Sequence, residues 1–391
     1  MNGRRAIIIA ARRTAIGKLG GLHKNRSIDA LAAPLIPAVL GDAGLDPDAI
    51  DEVIIGNAAG GGGNPARLIA LAAGMPDDVP GLTLDRQCTS GLDAIVTAAR
   101  QIEAGAADAI IAGGAESPST APWRIAKPAN PYTQMPRFFA QAMFAPDSAR
   151  HPSMIEAAEN VARQFGISRA RQDEFALRSH SLAVNAQAQG LMQAELLPLG
   201  TALAEASDEG PRAELKATLL ARMRPLAAPD GSITAGNSCQ INDGAALTVV
   251  VSEDLHRRLG SPPGLIFTGA ASAGVDPRIL GIASVPAFEK LRTRLGIVLE
   301  SSDAVELNEA FAAQALATID LLGLHPSFVN DLGGALAYGH PYGASGAIMV
   351  VRLFTRLIRN ITGSASRRGV VMIAGAGGVG TAALFTTSPN S

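Results

Sequence analysis

Six short aliphatic runs, at residues 6–9, 52–55, 109–112, 265–268, 304–307 and 370–374, lack the strict polar and apolar alternation of a strand with one wet face. Strands of that kind have to be covered on both sides. Between them lie longer stretches of helical period, such as residues 92–104 and 344–358. The alternation predicts an α/β protein with mainly parallel, doubly covered sheets.

A weak internal repeat sharpens this. Thr89-Ser90-Gly91 opens a helix that is followed by an apolar run closing on Gly113-Gly114, and Ala344-Ser345-Gly346 opens another that is followed by 370–374 and Gly375. A duplicated α/β unit is expected. From about 118 to 236 the composition changes, first to Pro122, Pro128, Pro131 and Pro136, then to charged helical segments at 156–165 and 169–189. That stretch is too long for a loop and reads as an inserted lid, the kind of insertion that contacts a ligand.

Composition removes whole classes of function. Across 391 residues, 33 Lys and Arg against 35 Asp and Glu give a net charge of -2, which lacks the footprint of a nucleic-acid binder. No run approaches the roughly 20 apolar residues that span a bilayer, and the run at 6–11 is too short for a secretory signal. Two cysteines, Cys88 and Cys239, cannot build a disulfide framework or a CxxC-type zinc site. The expectation is a soluble, cytoplasmic protein with no metal, no nucleic-acid partner and no membrane partner. Its 42 glycines beside 4% aromatics imply close backbone approaches where strands turn into helices.

Three constellations carry chemistry. In Asp85-Arg86-Gln87-Cys88-Thr89-Ser90-Gly91-Leu92 a cysteine stands where a strand gives way to an Ala-rich helix, and free N–H groups there favour a thiolate nucleophile. The plain alternative is a small buried hydrophobe. In Gly333-Gly334-Ala335-Leu336-Ala337-Tyr338-Gly339-His340-Pro341-Tyr342-Gly343-Ala344-Ser345-Gly346, one imidazole lies among glycines just before a helix, where a base is held at a fixed angle. The other histidines, His23, His151, His180, His256 and His325, read as solvated. In Glu306-Leu307-Asn308-Glu309-Ala310-Phe311, Asn308 either caps the next helix or orients a water or an oxyanion. Cysteine, histidine and asparagine together form a nucleophile, a base and a polar orienter, the logic of acyl transfer through a thioester.

These motifs, with Ala11-Arg12-Arg13-Thr14-Ala15-Ile16-Gly17-Lys18, Gly56-Asn57, Asn64-Pro65-Ala66-Arg67, Gly113-Gly114-Ala115-Glu116-Ser117, Thr234-Ala235-Gly236-Asn237 and Asn242-Asp243-Gly244-Ala245-Ala246, resemble the thiolase family of acetyl-CoA acetyltransferases and 3-ketoacyl-CoA thiolases, essentially end to end. The resemblance implies a five-layered αβαβα fold from two related halves, residues 1–118 plus 237–263 and residues 264–391. It also implies an inserted loop domain, 119–236, that grips coenzyme A, and assembly as a homodimer or homotetramer. Coenzyme A thioesters would be substrates, with no permanently bound cofactor. Cys88 would take the acyl group, His340 would accept its proton, and Asn308 would hold a catalytic water that forms one oxyanion hole with His340. The backbone N–H groups of Cys88 and Ala376 would form the other, and Met154, Ala235, Ser238 and Cys239 would line the substrate and coenzyme A site.

The chain departs from the family at Ile373-Ala374-Gly375-Ala376-Gly377-Gly378-Val379-Gly380. Thiolases carry here a second cysteine that removes or returns the α-proton of acetyl-CoA, and this sequence has Ala374. Cys239 falls where thiolases carry a serine, a position that suggests a coenzyme A contact or a small buried residue rather than a replacement base. The resemblance therefore implies an acyl-CoA-dependent acyltransferase with impaired Claisen chemistry. The alternatives are a conventional thiolase with a substitute base or an engineered Cys-to-Ala change, and a non-catalytic acyl-CoA-binding or scaffold subunit. A dinucleotide-binding reading fails, because Gly60–Gly63 runs into Asn64-Pro65 and the turn at 375–380 lies too near the end for the required acidic residue.

Overall fold

All six aliphatic runs become strands, and all but 265–268, where Ile266 is half-buried and Thr268 exposed, are buried on both faces over most of their length. The computed structural model describes residues 4–139, 141–200, 206–301, 303–360 and 368–388. Its strands are β1 (Ala6–Arg13), β2 (Gly17–Lys18), β3 (Glu52–Gly56), β4 (Gly81–Leu84), β5 (Ala109–Glu116), β6 (Ile125–Ala126), β7 (Arg137–Phe138), β8 (Asn242–Ser252), β9 (Leu265–Gly274), β10 (Ala304–Leu307), β11 (Arg368–Gly375) and β12 (Val379–Thr387). All but β6 and β7 belong to one sheet, whose order is β10-β11-β12-β9-β1-β8-β5-β3-β4, with β2 beside β8.

The order reads as two mirrored halves. In one, β3 and β5 are parallel and β8 and β1 follow antiparallel; in the other, β10 and β11 are parallel and β12 and β9 follow antiparallel. Within the sheet the halves pair through Ile7–Ile266 and Ile8–Leu265. A duplicated unit is therefore present, but the mainly parallel sheet is not. Among the named strands of the described residues, parallel pairing occurs in β3–β4, β3–β5 and β10–β11, against seven antiparallel pairs. An apolar run buried on both faces carries no information about strand direction, which is why the expectation went wrong.

Alternate residues of each strand enter different cores. Ile8, Val371 and Ile373 belong to a central core, Ile7 and Ile9 to one outer core, and Val370 and Met372 to the other. The central core holds two helices, Ser90–Glu103 and Ser345–Phe354, which are the two repeated helix starts of the sequence. Helices Leu35–Ala43 and Pro65–Ala72 cover one outer face, and Ser284–Leu295 and Ala312–Leu322 the other. The result is five layers, αβαβα.

The central helices touch through glycine. A Cβ on Gly91 would stand 2.5 Å from the Gly343 carbonyl, and one on Gly346 would stand 2.5 Å from Leu92 N. Any larger residue at either position would push the helix starts apart. The insertion adds the β6–β7 hairpin and helices Met154–Gln164 and Arg169–Ala188, the second and third matching the charged segments expected there. It is tied to β1 by Arg13, whose fully buried guanidinium reaches Glu195 at 2.6 Å and Asp208 at 2.7 Å. No described helix is long and apolar enough to cross a membrane.

Candidate active site

The nucleophile turn is built by Asp85–Ser90. Gln87 takes a left-handed conformation, φ 55°, which turns the chain sharply from β4 into the helix and presents Cys88 at its start. Ser90 Oγ donates to the Gln87 carbonyl at 2.6 Å and accepts from Arg86 N at 2.8 Å, closing the turn. Buried Asp93 accepts from Arg86 at 2.6 Å, Thr89 Oγ1 at 2.5 Å and Thr381 Oγ1 at 3.1 Å, fastening the turn to β12.

Cys88 is partly buried, with a free thiol. Burial pushes that thiol up to about 12; hydrogen bonds from the N–H groups of Ala376 and of Cys88 itself pull the other way, while the carboxylates of Glu116 and Asp85 add to the rise. The thiolate expected from the helix start alone is therefore not the resting form, because desolvation outweighs the dipole. A base is required to ionise it. Cys88 and Ala376 are the residues whose N–H groups the family resemblance implies for one oxyanion hole. They meet because the turn between β11 and β12 lies on the helix start: a Cβ on Gly375 would be 3.3 Å from Cys88 N.

His340 is buried and its ring is held by Ser345 Oγ, 2.6 Å from Nδ1. Its backbone N–H donates to Asn242 Oδ1 at 3.0 Å, and residue 340 pairs with Ile241 in a short bridge. Burial depresses the imidazole to about 4, so the ring is neutral near pH 7 and able to take a proton. Three other histidines depart from the solvated reading. His23, His180 and His256 are buried, each bonded to backbone: Ala15 O at 2.8 Å, Arg212 N at 3.2 Å and Pro262 O at 2.8 Å. These backbone partners are far enough along the chain, or irregular enough in spacing, to be invisible in a sequence pattern.

Asn308 is buried at the end of β10, and its N–H donates to Met372 O at 3.0 Å, two residues before Ala374. The capping alternative falls, since the next helix begins after Phe311. Ala374 faces Gly380 across the β11–β12 pair, half-buried, two residues before Ala376. Cys239 is partly buried, and its N–H donates to Ala310 O at 2.9 Å. Its thiol is pushed up to about 12 by burial and by its neighbour Cys88.

Ser238 pairs with Phe311, and its hydroxyl donates to Thr234 O at 2.7 Å, while Ala235 is exposed beside it. Met154 opens a helix capped by Ser153 and Glu156, and that helix packs with Ile233, Phe311 and Ala313.

Glu116, the buried last residue of β5, is a polar residue that the motif spacing assigns no role. Its fully buried carboxylate accepts from Asn57 Nδ2 at 3.0 Å, Ala58 N at 2.5 Å and Gly343 N at 3.1 Å. It thereby ties the turn after His340 to the loop after β3. Burial raises its carboxyl to about 7 against those donors. A Cβ on Gly343 would lie 2.7 Å from Glu116 Oε1, which is why that position is glycine. One acidic residue ending an otherwise apolar strand was the available signal.

Comparison with known proteins agrees with this geometry. The family model of the thiolase N-terminal domain matches residues 6–254, and that of the thiolase C-terminal domain matches residues 263–387. A Staphylococcus epidermidis protein named as a putative acetyl-CoA C-acetyltransferase VraB is 43% identical over 383 residues, covering 97% of both chains. Its Staphylococcus aureus namesake is 42% identical over 384 residues, covering 97% of this chain and 99% of its own. A crystal structure of the Bacillus anthracis acetyl-CoA acetyltransferase superposes with a TM-score of 0.91 at 36% identity, covering 99% of each chain.

Proposed function

The chain belongs to the thiolase family, and from that premise we propose that it is an acyltransferase of the acetyl-CoA C-acetyltransferase type, working through an acyl-thioester on Cys88. The observation that carries the reading is Cys88, set at a helix start with the β11–β12 turn laid against it, a Cβ on Gly375 standing 3.3 Å from Cys88 N; there the N–H groups of Cys88 and Ala376 favour the thiolate. His340 takes the thiol proton, and the thiolate attacks the carbonyl of a coenzyme A thioester. The carbonyl oxygen becomes an oxyanion held by those two N–H groups, which act most strongly at that moment because they are fixed beforehand. Collapse releases the coenzyme A thiolate, which recovers the proton from His340. The acyl group then passes to an acceptor, with Asn308 holding a water that joins His340 in stabilising the second carbonyl.

At Ala374 no side chain can move a proton. A positioned base is worth roughly 10²–10⁴-fold, so acyl transfer to Cys88 is retained while Claisen condensation and thiolysis are slow. A second reading, a conventional thiolase with a substitute base, is favoured by one observation: the Cys239 thiol is close enough to Cys88 that Cys88, after burial, disfavours its ionisation. We place the enzyme in the cytoplasm as a homodimer or homotetramer, with residues 119–236 as the loop domain that grips coenzyme A between the halves 1–118 plus 237–263 and 264–391.

Intact-mass spectrometry after incubation with acetyl-CoA tests the reading. The expected result is a gain of one acetyl group in the wild type and none in Cys88→Ala; no gain, or the same gain in both, sinks it.

A further inference from the structure

The oxyanion hole proposed for acylation takes one N–H from each half of the fold. Cys88 lies on the turn after β4, and Ala376 on the turn between β11 and β12. Its alignment depends on how those two turns are registered. Gly375 sets how close they come, since its Cβ would stand 3.3 Å from Cys88 N and 3.4 Å from Arg86 O. Such packing has no direction and leaves sideways slip.

A closed ring of hydrogen bonds crosses the same gap. Arg86 Nη1 donates to Asp93 Oδ1 at 2.6 Å and to Ser272 Oγ of β9 at 3.1 Å. Ser272 Oγ lies 3.2 Å from Thr381 Oγ1 of β12, which in turn reaches the two Asp93 oxygens at 3.1 and 3.2 Å. A guanidinium only donates and a carboxylate only accepts, so the direction of both hydroxyls is dictated. Thr381 donates to Asp93 and accepts from Ser272, and Ser272 accepts from Arg86. Thr89, the residue after Cys88, gives its own hydroxyl to Asp93 at 2.5 Å. Asp93, Thr89 and Thr381 are all buried, where directed bonds that are fully partnered hold their geometry best. Burial raises the Asp93 carboxyl, and the bond from Thr89, the Arg86 charge and the bond from Thr381 oppose that rise.

We infer that Asp93 is a positioning residue of the acylation site: through Thr89 and Thr381 it registers the two turns so that the Cys88 and Ala376 N–H groups converge on the carbonyl oxygen. The inference rests on the reading of Cys88 as the acyl carrier.

Thr381→Val keeps the outline of the side chain, suits a strand and removes the hydroxyl that closes the ring. In the full-length protein, single-turnover acetylation of Cys88 by acetyl-CoA, followed by intact mass, is expected to slow by roughly 10–100-fold in Thr381→Val and in Asp93→Asn, because a misplaced donor forfeits much of what the hole supplies. The half-saturating acetyl-CoA concentration should move by less than about threefold, since the donors act on the oxyanion and not on the bound thioester. Thr381→Ser returns the hydroxyl and should recover most of the lost rate. Alkylation of Cys88 by iodoacetamide builds no oxyanion, so in Thr381→Val and Asp93→Asn it should fall roughly tenfold less than acetylation does. Equal losses in the two reactions mean that the ring only supports the fold, and they overturn the proposal. So does acetylation by Thr381→Val within about threefold of the wild type, a smaller change than misalignment brings. Wild-type protein that iodoacetamide alkylates at Cys88 but no acyl-CoA acylates refutes the role of Cys88 itself, and the role of Asp93 with it.

Discussion

Ala374→Cys is the sharpest perturbation this fold offers. Residue 374 lies at the end of β11, half-buried opposite Gly380, and the next residue, Gly375, packs on the nucleophile turn, where its Cβ would be 3.3 Å from Cys88 N. If residue 374 holds the place of the family's second cysteine, as proposed, the mutation adds a single sulfur beside the nucleophile. If no other group moves the α-proton, restoring a positioned base is worth roughly 10²–10⁴ in rate, or about 3–5 kcal/mol of barrier. Crowding from the added atom costs about 1–3 kcal/mol of stability if the site cannot relax, which a chain of this size tolerates. The assay has two arms. Condensation of acetyl-CoA and thiolysis of acetoacetyl-CoA should both rise by at least a hundredfold, while single-turnover acylation of Cys88, which uses His340 rather than residue 374, should change less than about threefold. Brisk thiolysis by the wild type, moved less than threefold by Ala374→Cys, refutes the argument and turns attention to Cys239. In that event Cys239→Ser should remove the activity, and Ala374→Cys should restore it.

Further outcomes follow from the same geometry. Acylation of Cys88 followed against pH should lose its base near pH 4 rather than near 6.5, because burial depresses His340 to about 4; an acid limb centred on 6.5 refutes this. The same depression acts on stability. Between about pH 4 and 6.5 the unfolded chain binds protons that folded His340 and His180 do not, so the two buried histidines favour the folded state above 6.5, and that contribution is lost as pH falls toward 4. Urea midpoints of the wild type and His180→Gln across that window check the sign. Glu116→Gln puts an amide NH2 against backbone donors and should cost about 1–3 kcal/mol of stability, together with at least a tenfold loss of acylation rate, measured by chemical unfolding and single turnover. Arg13→Ala strands Glu195 and Asp208 as buried charges and should cost about 3–5 kcal/mol, read as a lowered urea midpoint.

The sequence exposes its strands and its reacting residues unevenly. The runs at 6–9 and 370–374 were legible because a strand buried on both faces has no polar residues to disguise it, and Cys88, His340 and Asn308 stood out as isolated polar groups among small ones. Strand direction was not legible. β8, eleven residues long and wholly buried, and β12 begin in glycine-containing motifs that read as turns, yet they supply the antiparallel partners of β5, β1, β11 and β9. The state of Cys88 was misjudged for a related reason. A helix start is a local feature, whereas the desolvation that keeps the thiol neutral comes from burial under segments distant in sequence, among them the β11–β12 turn at Gly375. Buried Glu116 and the backbone-bonded histidines belong to the same class of long-range effects.

The duplicated unit also accounts for where the chemistry is. Two helix starts from equivalent places in the two halves meet in the middle layer, and the glycine at the first turn of each, Gly91 or Gly346, lets it press against the other. Three residues before Gly91 the first unit carries Cys88; six before Gly346 the second carries His340. Neither unit contains both, so under the proposed mechanism neither half alone supplies both the thiol and the base that ionises it. The same meeting bounds what a thiol at residue 374 would change. The β11–β12 turn that bears Ala374 is fixed by Thr381 on Asp93 and by Gly375 lying on Cys88 N, contacts that do not involve the residue 374 side chain. Under the proposed reading, a cysteine or an alanine there alters one proton-transfer step and leaves the geometry around Cys88 intact.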